Sequence, residues 1–240
     1  METTRSTEER VSDPAATVPE RMPWLSLILL TTMGFILVTV ETMPAGLLSA
    51  IAGGLRTSES TVGLLISAYA LGTIVVTAPA ITLTGGLQRK PLLIGTIVGL
   101  VAANAVTAFS SEVALSLASR VVAGACSGII WGMFASYARK ISPPRRAGLS
   151  LAVVSIGAPL GFALGTPLGS ALGNAFDWRW SFGGLSILGV IVLALIIVFV
   201  PDADGQPSES RLPLHRVIRI PGVGIVLAVI AAWMLAHNTT

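Results

Sequence analysis

Apolar positions fall in long runs separated by short polar clusters, and the run lengths are the first information the chain gives. Six of them, Trp24–Ile51, Thr61–Leu83, Pro91–Phe109, Val113–Ser136, Ala147–Leu172 and Trp180–Val200, are each long enough to cross ~30 Å of hydrocarbon at 1.5 Å of helical rise per residue. The pattern therefore predicts an all-α integral membrane protein whose six transmembrane helices occupy residues 24–200. Residues 1–23 hold five acids and three arginines among Ser, Thr and Pro, and read as a polar aqueous tail. Residues 201–220 carry six charged residues, Asp202, Asp204, Glu209, Arg211, Arg216 and Arg219, and read as a cytoplasmic linker. A further apolar run opens at Pro221 and thins out at Ala236, so residues 221–240 read as the start of a seventh helix, and the sequence as the N-terminal part of something longer. The Ala50-Ile51-Ala52 triplet mimics a signal-peptidase site, but the run before it is about twice a secretory h-region and follows an acidic tail, so an uncleaved first helix is expected.

Composition agrees with this picture. Charged residues make up 11% of the 240, hydrophobic ones 53%, and the mean hydropathy is +0.82. Soluble domains carry about 25% charged residues, so a water-soluble enzyme, a disordered chain and a disulfide scaffold are all disfavoured. The net charge of +3 does not indicate nucleic acid, because the cations sit in short clusters between apolar runs and form no basic stripe. The single cysteine, Cys126, lies inside an apolar run and reads as a small buried hydrophobe. No paired His/Glu metal motif, phosphate-cradling glycine loop or nucleophile elbow is present. An enzyme, a metal site and a cofactor are not expected.

Cation placement gives the orientation. With the N-terminus inside, the inner loops and tails receive Arg5, Arg10, Arg21, Arg89, Lys90, Arg139, Lys140, Arg145, Arg146, Arg211, Arg216 and Arg219, and the outer loops only Arg56 and Arg179. That asymmetry is the positive-inside pattern, so a multi-pass protein of the cytoplasmic membrane with a cytoplasmic N-terminus is expected.

Two ionisable residues fall within membrane spans, where they are costly and mark functional sites. Glu41 in the first helix lies roughly 13 Å from its outer end, and Arg120 in the fourth roughly 10 Å from the same face. Opposite charges at matching depth point to a shared water-accessible cavity and to proton coupling; a structural ion pair is the plainer alternative. At 100° per residue, Ser127 and Trp131 share the face of Arg120, Gly34 and Ala45 flank that of Glu41, and Tyr69 and Asn104 are further polar side chains at depth. These four, Ser127, Trp131, Tyr69 and Asn104, are the candidate substrate-cavity residues. Packing or interface anchoring competes with that role for Trp131 and Tyr69.

Glycines recur at every fourth position in the fifth helix (Gly157, Gly161, Gly165, Gly169, Gly173) and in the fourth (Gly124, Gly128, Gly132). Such spacing stacks them in one stripe and admits another helix to backbone contact. Pro159 and Pro167 interrupt the hydrogen-bond ladder of the fifth helix. A smooth, kinked seam suits a helix that rocks against its neighbour; static close packing is the other reading.

These motifs resemble the major facilitator superfamily, and within it the drug and sugar efflux group of twelve-helix proton antiporters. The resemblance runs from Trp24 to the end: ETMPAGLL and SAYALGTIVVTAP in the first two helices, SRVVAGACSG (Arg120, Gly124, Gly128) in the fourth, GAPLGFALGTPLG in the fifth, and DWRWSF opening the sixth. The loop between helices 2 and 3, ITLTGGLQRKPLL, departs from the family pattern. Arg89 and Lys90 match its basic pair, but Gly85 and Gly86 stand where an Asp-Arg pair is usual, which puts the ion-pair latch of that loop in doubt. The resemblance implies a six-helix bundle of two inverted three-helix repeats, helices 1 and 4 lining a central cavity, and a second, C-terminal six-helix half as partner. It also implies proton-coupled efflux of a small molecule such as a drug or sugar, with substrate, protons and the lipid bilayer as the partners. A six-helix membrane receptor or assembly partner that transports nothing is the alternative.

Overall fold

The computed structural model describes residues 21–203 together with Gly205, Gly224 and Val229. The polar tail up to residue 20 and most of residues 206–240 lie outside the described residues, although Gly224 and Val229 are both helical. Six helices long and apolar enough to span a membrane follow one another: α1 Trp24–Leu55, α2 Glu59–Thr84, α3 Arg89–Phe109, α4 Val113–Lys140, α5 Pro144–Ala175 and α6 Trp178–Phe199.

Local chemistry explains the helix ends. Arg56, with φ 52°, closes α1 in the left-handed conformation, and Ser58 Oγ then accepts the Thr61 N–H at 3.2 Å to open α2. Asp177 opens α6 by accepting the Arg179 N–H at 2.8 Å. Prolines Pro143 and Pro144 separate α4 from α5.

Two of the six helices are broken. In α1 the α-helix ends at Thr42, passes through a 3-10 stretch Met43–Leu47 containing Pro44, and resumes at Leu48–Leu55. In α5 a π-turn over Gly161–Gly165 joins the segment carrying Pro159 to Thr166–Ala175, where Pro167 sits in the first turn. α2 and α4 run through as single α-helices of 26 and 28 residues, α2 despite Pro79.

Packing follows a pattern the connectivity alone does not announce. α1 pairs in parallel with α5, α2 in parallel with α4, and α3 packs antiparallel against both α4 and α6. Exchanging α1–α3 with α4–α6 maps the α1/α5 pair onto α4/α2, which is the two-repeat organisation of the bundle. The glycine ladders are the contacts of the two parallel pairs. A Cβ built on Gly161 would lie 2.8 Å from Val38 Cβ, one on Gly169 2.8 Å from Met43 Sδ, and one on Gly173 2.8 Å from the Leu47 methyls. On the other side, Gly124 abuts the backbone of Tyr69 and Thr73, Gly128 that of Thr73, and Gly72 that of Val121 and Ala125. Gly132, the third glycine of that stripe, is exposed.

The chain leaving α6 folds back across one end of the bundle. The Arg89 N–H donates to Ala203 O at 2.8 Å, and the Lys90 N–H to Asp202 Oδ1 at 3.3 Å. Tyr137 Oη donates to Pro201 O at 2.9 Å and Lys140 Nζ to Gly205 O at 2.8 Å. Arg89, half of the basic pair of this loop, is buried, with Nη2 donating to Gly85 O at 3.2 Å. At the glycine-for-acid departure in the preceding loop, the carboxylate beside the N-terminus of α3 is thus Asp202, from the segment after α6.

Candidate functional site

The site is built around Arg120, the largest side chain that is fully buried. α4 carries it to the level where α1 ends its regular helix, and Nη2 donates to Val40 O at 2.9 Å. The guanidinium carbon lies 4.5 Å from the Tyr69 ring centroid on α2 and 5.7 Å from that of Phe182 on α6. Cation–π attraction is strongest where water is excluded, and this arginine has no exposed surface. Four helices therefore meet at one charge.

Hydrogen bonding in this cage is incomplete. Arg120 Nε and Nη1, Tyr69 Oη and Ser127 Oγ are all buried without a hydrogen-bond partner. Tyr69 and Ser127 are close enough to interact, yet neither hydroxyl completes a bond to the other. Buried polar groups are nearly always paired, and here four such atoms without a partner gather in one cage.

Glu41 follows Val40 directly and ends half-buried, one residue before the last of the regular helix of α1. It interacts with Arg120 electrostatically, but no ion pair within 4.0 Å joins them. Their depths coincide, since Arg120 bonds the carbonyl of the preceding residue. Their surroundings differ: Arg120 is enclosed, Glu41 partly open.

Of the four cavity candidates, Tyr69 and Ser127 come together with Arg120. Trp131 lies 11 residues further along α4 than Arg120, roughly 16 Å, half-buried and edge-on to Phe134 at 5.4 Å. Asn104 is buried in α3 with Oδ1 unpaired, and no hydrogen bond or charge interaction joins it to Arg120. Nearby, Thr107 and Ser119 bridge α3 to α4 at 2.7 Å. Phe182 and the Val40 carbonyl are partners that reading the sequence missed. An aromatic near the start of the sixth helix at the depth of Arg120 was the available signal for the first, whereas a backbone acceptor leaves none.

The glycines Gly157, Gly161, Gly165 and Gly169 hold α5 against α1, while Pro167 lies exposed on α5; Thr42 Oγ1, next to Glu41, contacts Thr166 Oγ1 at 2.6 Å across the same seam. Arg89 and Lys90 lie at the start of α3, where the segment after α6 docks. Among the described residues no three His, Cys, Asp or Glu side chains gather into a group able to hold a metal.

Solved structures share this architecture. A peptide transporter, POT, in complex with sulfate matches 92% of this chain and 48% of its own, with 18% identity and a TM-score of 0.69. The proton:xylose symporter XylE bound to 6-bromo-6-deoxy-D-glucose matches 76% and 45%, at 15% identity and a TM-score of 0.64. A bacterial homolog of the human lysosomal transporter Spinster, inward-facing and unoccupied, matches 84% and 49%, at 14% identity and a TM-score of 0.68. The chain thus spans about half the length of these structures, and likeness at such identities establishes the fold. A family model reaches further along the sequence, matching residues 30–239: the chain belongs to the Major Facilitator Superfamily.

Proposed function

We propose that the chain is the first six-helix half of a secondary active transporter that exports a small molecule in exchange for protons. Glu41 is the residue that takes up and releases the proton, and Arg120 is the fixed cation that senses its charge. Tyr69 and Ser127, with Trp131 and Asn104 further off, contribute polar and aromatic surface to the substrate path. The N-terminus is cytoplasmic and the membrane is the cell membrane, in line with the cation asymmetry of the loops.

The observation that carries this reading is the buried Arg120 guanidinium, incompletely hydrogen-bonded and level with a half-exposed carboxylate on a neighbouring helix. A purely structural arginine inside lipid-spanning helices is expected to have its donors paired. Protonating Glu41 removes a charge attraction across the α1/α4 contact, at the point where α1 passes into its 3-10 stretch. Loss of that attraction releases α1 to bend at Met43–Leu47 and the bundle to rock about the α1/α5 seam. Proton entry and substrate exit then alternate at one carboxylate.

Proteoliposomes test this. A panel of amphipathic drugs and sugars is followed under an imposed pH gradient with wild-type protein, Glu41→Gln and Glu41→Asp. Gradient-driven transport is expected in the wild type, to survive in Glu41→Asp and to vanish in Glu41→Gln. Transport indifferent to the gradient removes the coupling, and Glu41→Gln behaving as wild type removes the carboxylate's role.

A further inference from the structure

Away from Arg120, the outer ends of α3 and α6 enclose a hollow of about 490 Å³. Its floor is made of small side chains: Ala105 and Ala108 from α3, Gly183 and Ser186 from α6. A Cβ at Gly183 would meet nothing within 4 Å, so the space above this turn is empty. Its walls are bulky and exposed, with Phe109 85%, Trp180 61% and Ile187 59% accessible. On α6 the exposed Trp180 and Ile187 turn away from Phe182, which faces Arg120, so the hollow opens away from the Arg120 cage.

At its mouth stand a cation, Arg179, and the carboxylate of Asp177. Arg179 Nη2 donates to Ser110 O at 3.0 Å, Nη1 lies 3.9 Å from Asp177 Oδ1, and the guanidinium stacks over Trp178 at 4.4 Å. These contacts fix its plane at the helix end and leave its other donors without hydrogen bonds. Trp180, exposed at the same helix end, is an indole of the kind enriched at membrane interfaces, whereas Trp178 is buried beneath the guanidinium.

We propose that this hollow is a binding site for one phospholipid, with an acyl chain in the Ala/Gly-floored groove between α3 and α6 and the headgroup phosphate on Arg179. The charge complementarity selects the occupant. A groove lined almost wholly by carbon, open laterally, suits a chain, while a cation pinned at the interface suits a phosphate diester. Ordinary boundary lipid has no such anchor. The site does not depend on the transport reading; the cytoplasmic N-terminus proposed above only decides that the lipid belongs to the outer leaflet.

Electron spin resonance of the protein in phosphatidylcholine vesicles tests it, with chain-labelled phosphatidylglycerol and chain-labelled diacylglycerol as probes. Wild-type protein is expected to immobilise the phosphatidylglycerol roughly fivefold more than the diacylglycerol, the factor for a single cation at a membrane surface. Arg179→Gln erases that preference, and Arg179→Lys retains part of it, which separates charge loss from misfolding. Gly183→Leu, whose Cβ meets nothing within 4 Å and whose remaining carbons occupy the groove, abolishes the immobilised component of both probes. Equal immobilisation of the two probes by wild-type protein, or an unchanged signal in Gly183→Leu, overturns the site. Displacement of the labelled lipid by a transported compound also overturns it, in favour of a substrate entry groove.

Discussion

The two parallel helix pairs, α2/α4 and α1/α5, use glycine for the same purpose and arrive at different mechanics. In the α2/α4 seam the atoms facing each glycine are mainly backbone: Gly124 meets the Tyr69 carbonyl, Gly72 the Val121 carbonyl, and Gly128 the Thr73 carbonyl beside the Thr77 hydroxyl. Both helices are unbroken, and Thr73 Oγ1 crosses the seam to Gly124 O at 3.0 Å. At Gly124 and Gly72 nothing yields without moving a helix. The α1/α5 seam begins the same way, with Gly157 against the Thr31 carbonyl, but outwards it is padded by side chains: Thr39 and Phe35 at Gly165, Met43 at Gly169, Leu47 at Gly173. Both its helices break there, α1 into the 3-10 stretch and α5 into the π-turn. One pair is a strut. The other is backed by backbone at its Thr31 end and by side chains at its Leu47 end, with Glu41 at the transition. The contrast teaches that glycine spacing alone fixes close approach, while rigidity depends on what the glycine faces.

Substitutions separate the two. Arg120 ties the seams together, from α4 to the Val40 carbonyl of α1 and the Tyr69 ring of α2. Arg120→Ala leaves a large void and an unpaired carbonyl, and is expected to cost roughly 3–5 kcal/mol, read as a large fall in the thermal midpoint of the detergent-solubilised protein. Gly124→Ala drives a methyl into backbone that cannot retreat, and is expected to cost about 1–3 kcal/mol by the same measurement. Thr73→Val removes the hydrogen bond across the strut for about 0.6 kcal/mol, the usual scale inside membranes. Gly169→Ala presses only on the flexible Met43 thioether, so its midpoint stays within about 0.5 kcal/mol of wild type. A Gly169→Ala loss as large as that of Gly124→Ala would erase the distinction between the seams.

Much of the architecture was legible from run length. All six helices fall where the apolar runs place them, and the ends shift by a few residues for local reasons. α2 begins at Glu59 rather than Thr61 because Ser58 caps it, and α6 at Trp178 rather than Trp180 because Asp177 does. α4 continues to Lys140 rather than Ser136, since Arg139 and Lys140 extend into the polar region while remaining helical. Pro159 and Pro167 announced a disturbance in α5, but not its form, a π-turn between them that lies against Phe35 and Thr39 of α1. The glycine stripes were visible while their partners were not, because which helices pair is decided by contacts more than 50 residues apart, as between Thr73 and Gly124. Residues at the site followed the same rule. Helical periodicity put Ser127 on the face of Arg120, but no periodicity within one helix reveals that Arg120 bonds a carbonyl of α1 and faces Phe182 of α6.

The compliance of the α1/α5 seam is best measured with spin-label pairs at the outer helix ends, in a Cys126→Ser background. One protein carries labels at Ser49→Cys and Ala171→Cys across the α1/α5 seam, the other at Ser60→Cys and Ala114→Cys across the α2/α4 seam. The account predicts a broad or two-component dipolar distance distribution for the first pair and a single narrow one for the second. Equally narrow distributions for both, unchanged across pH, would contradict it.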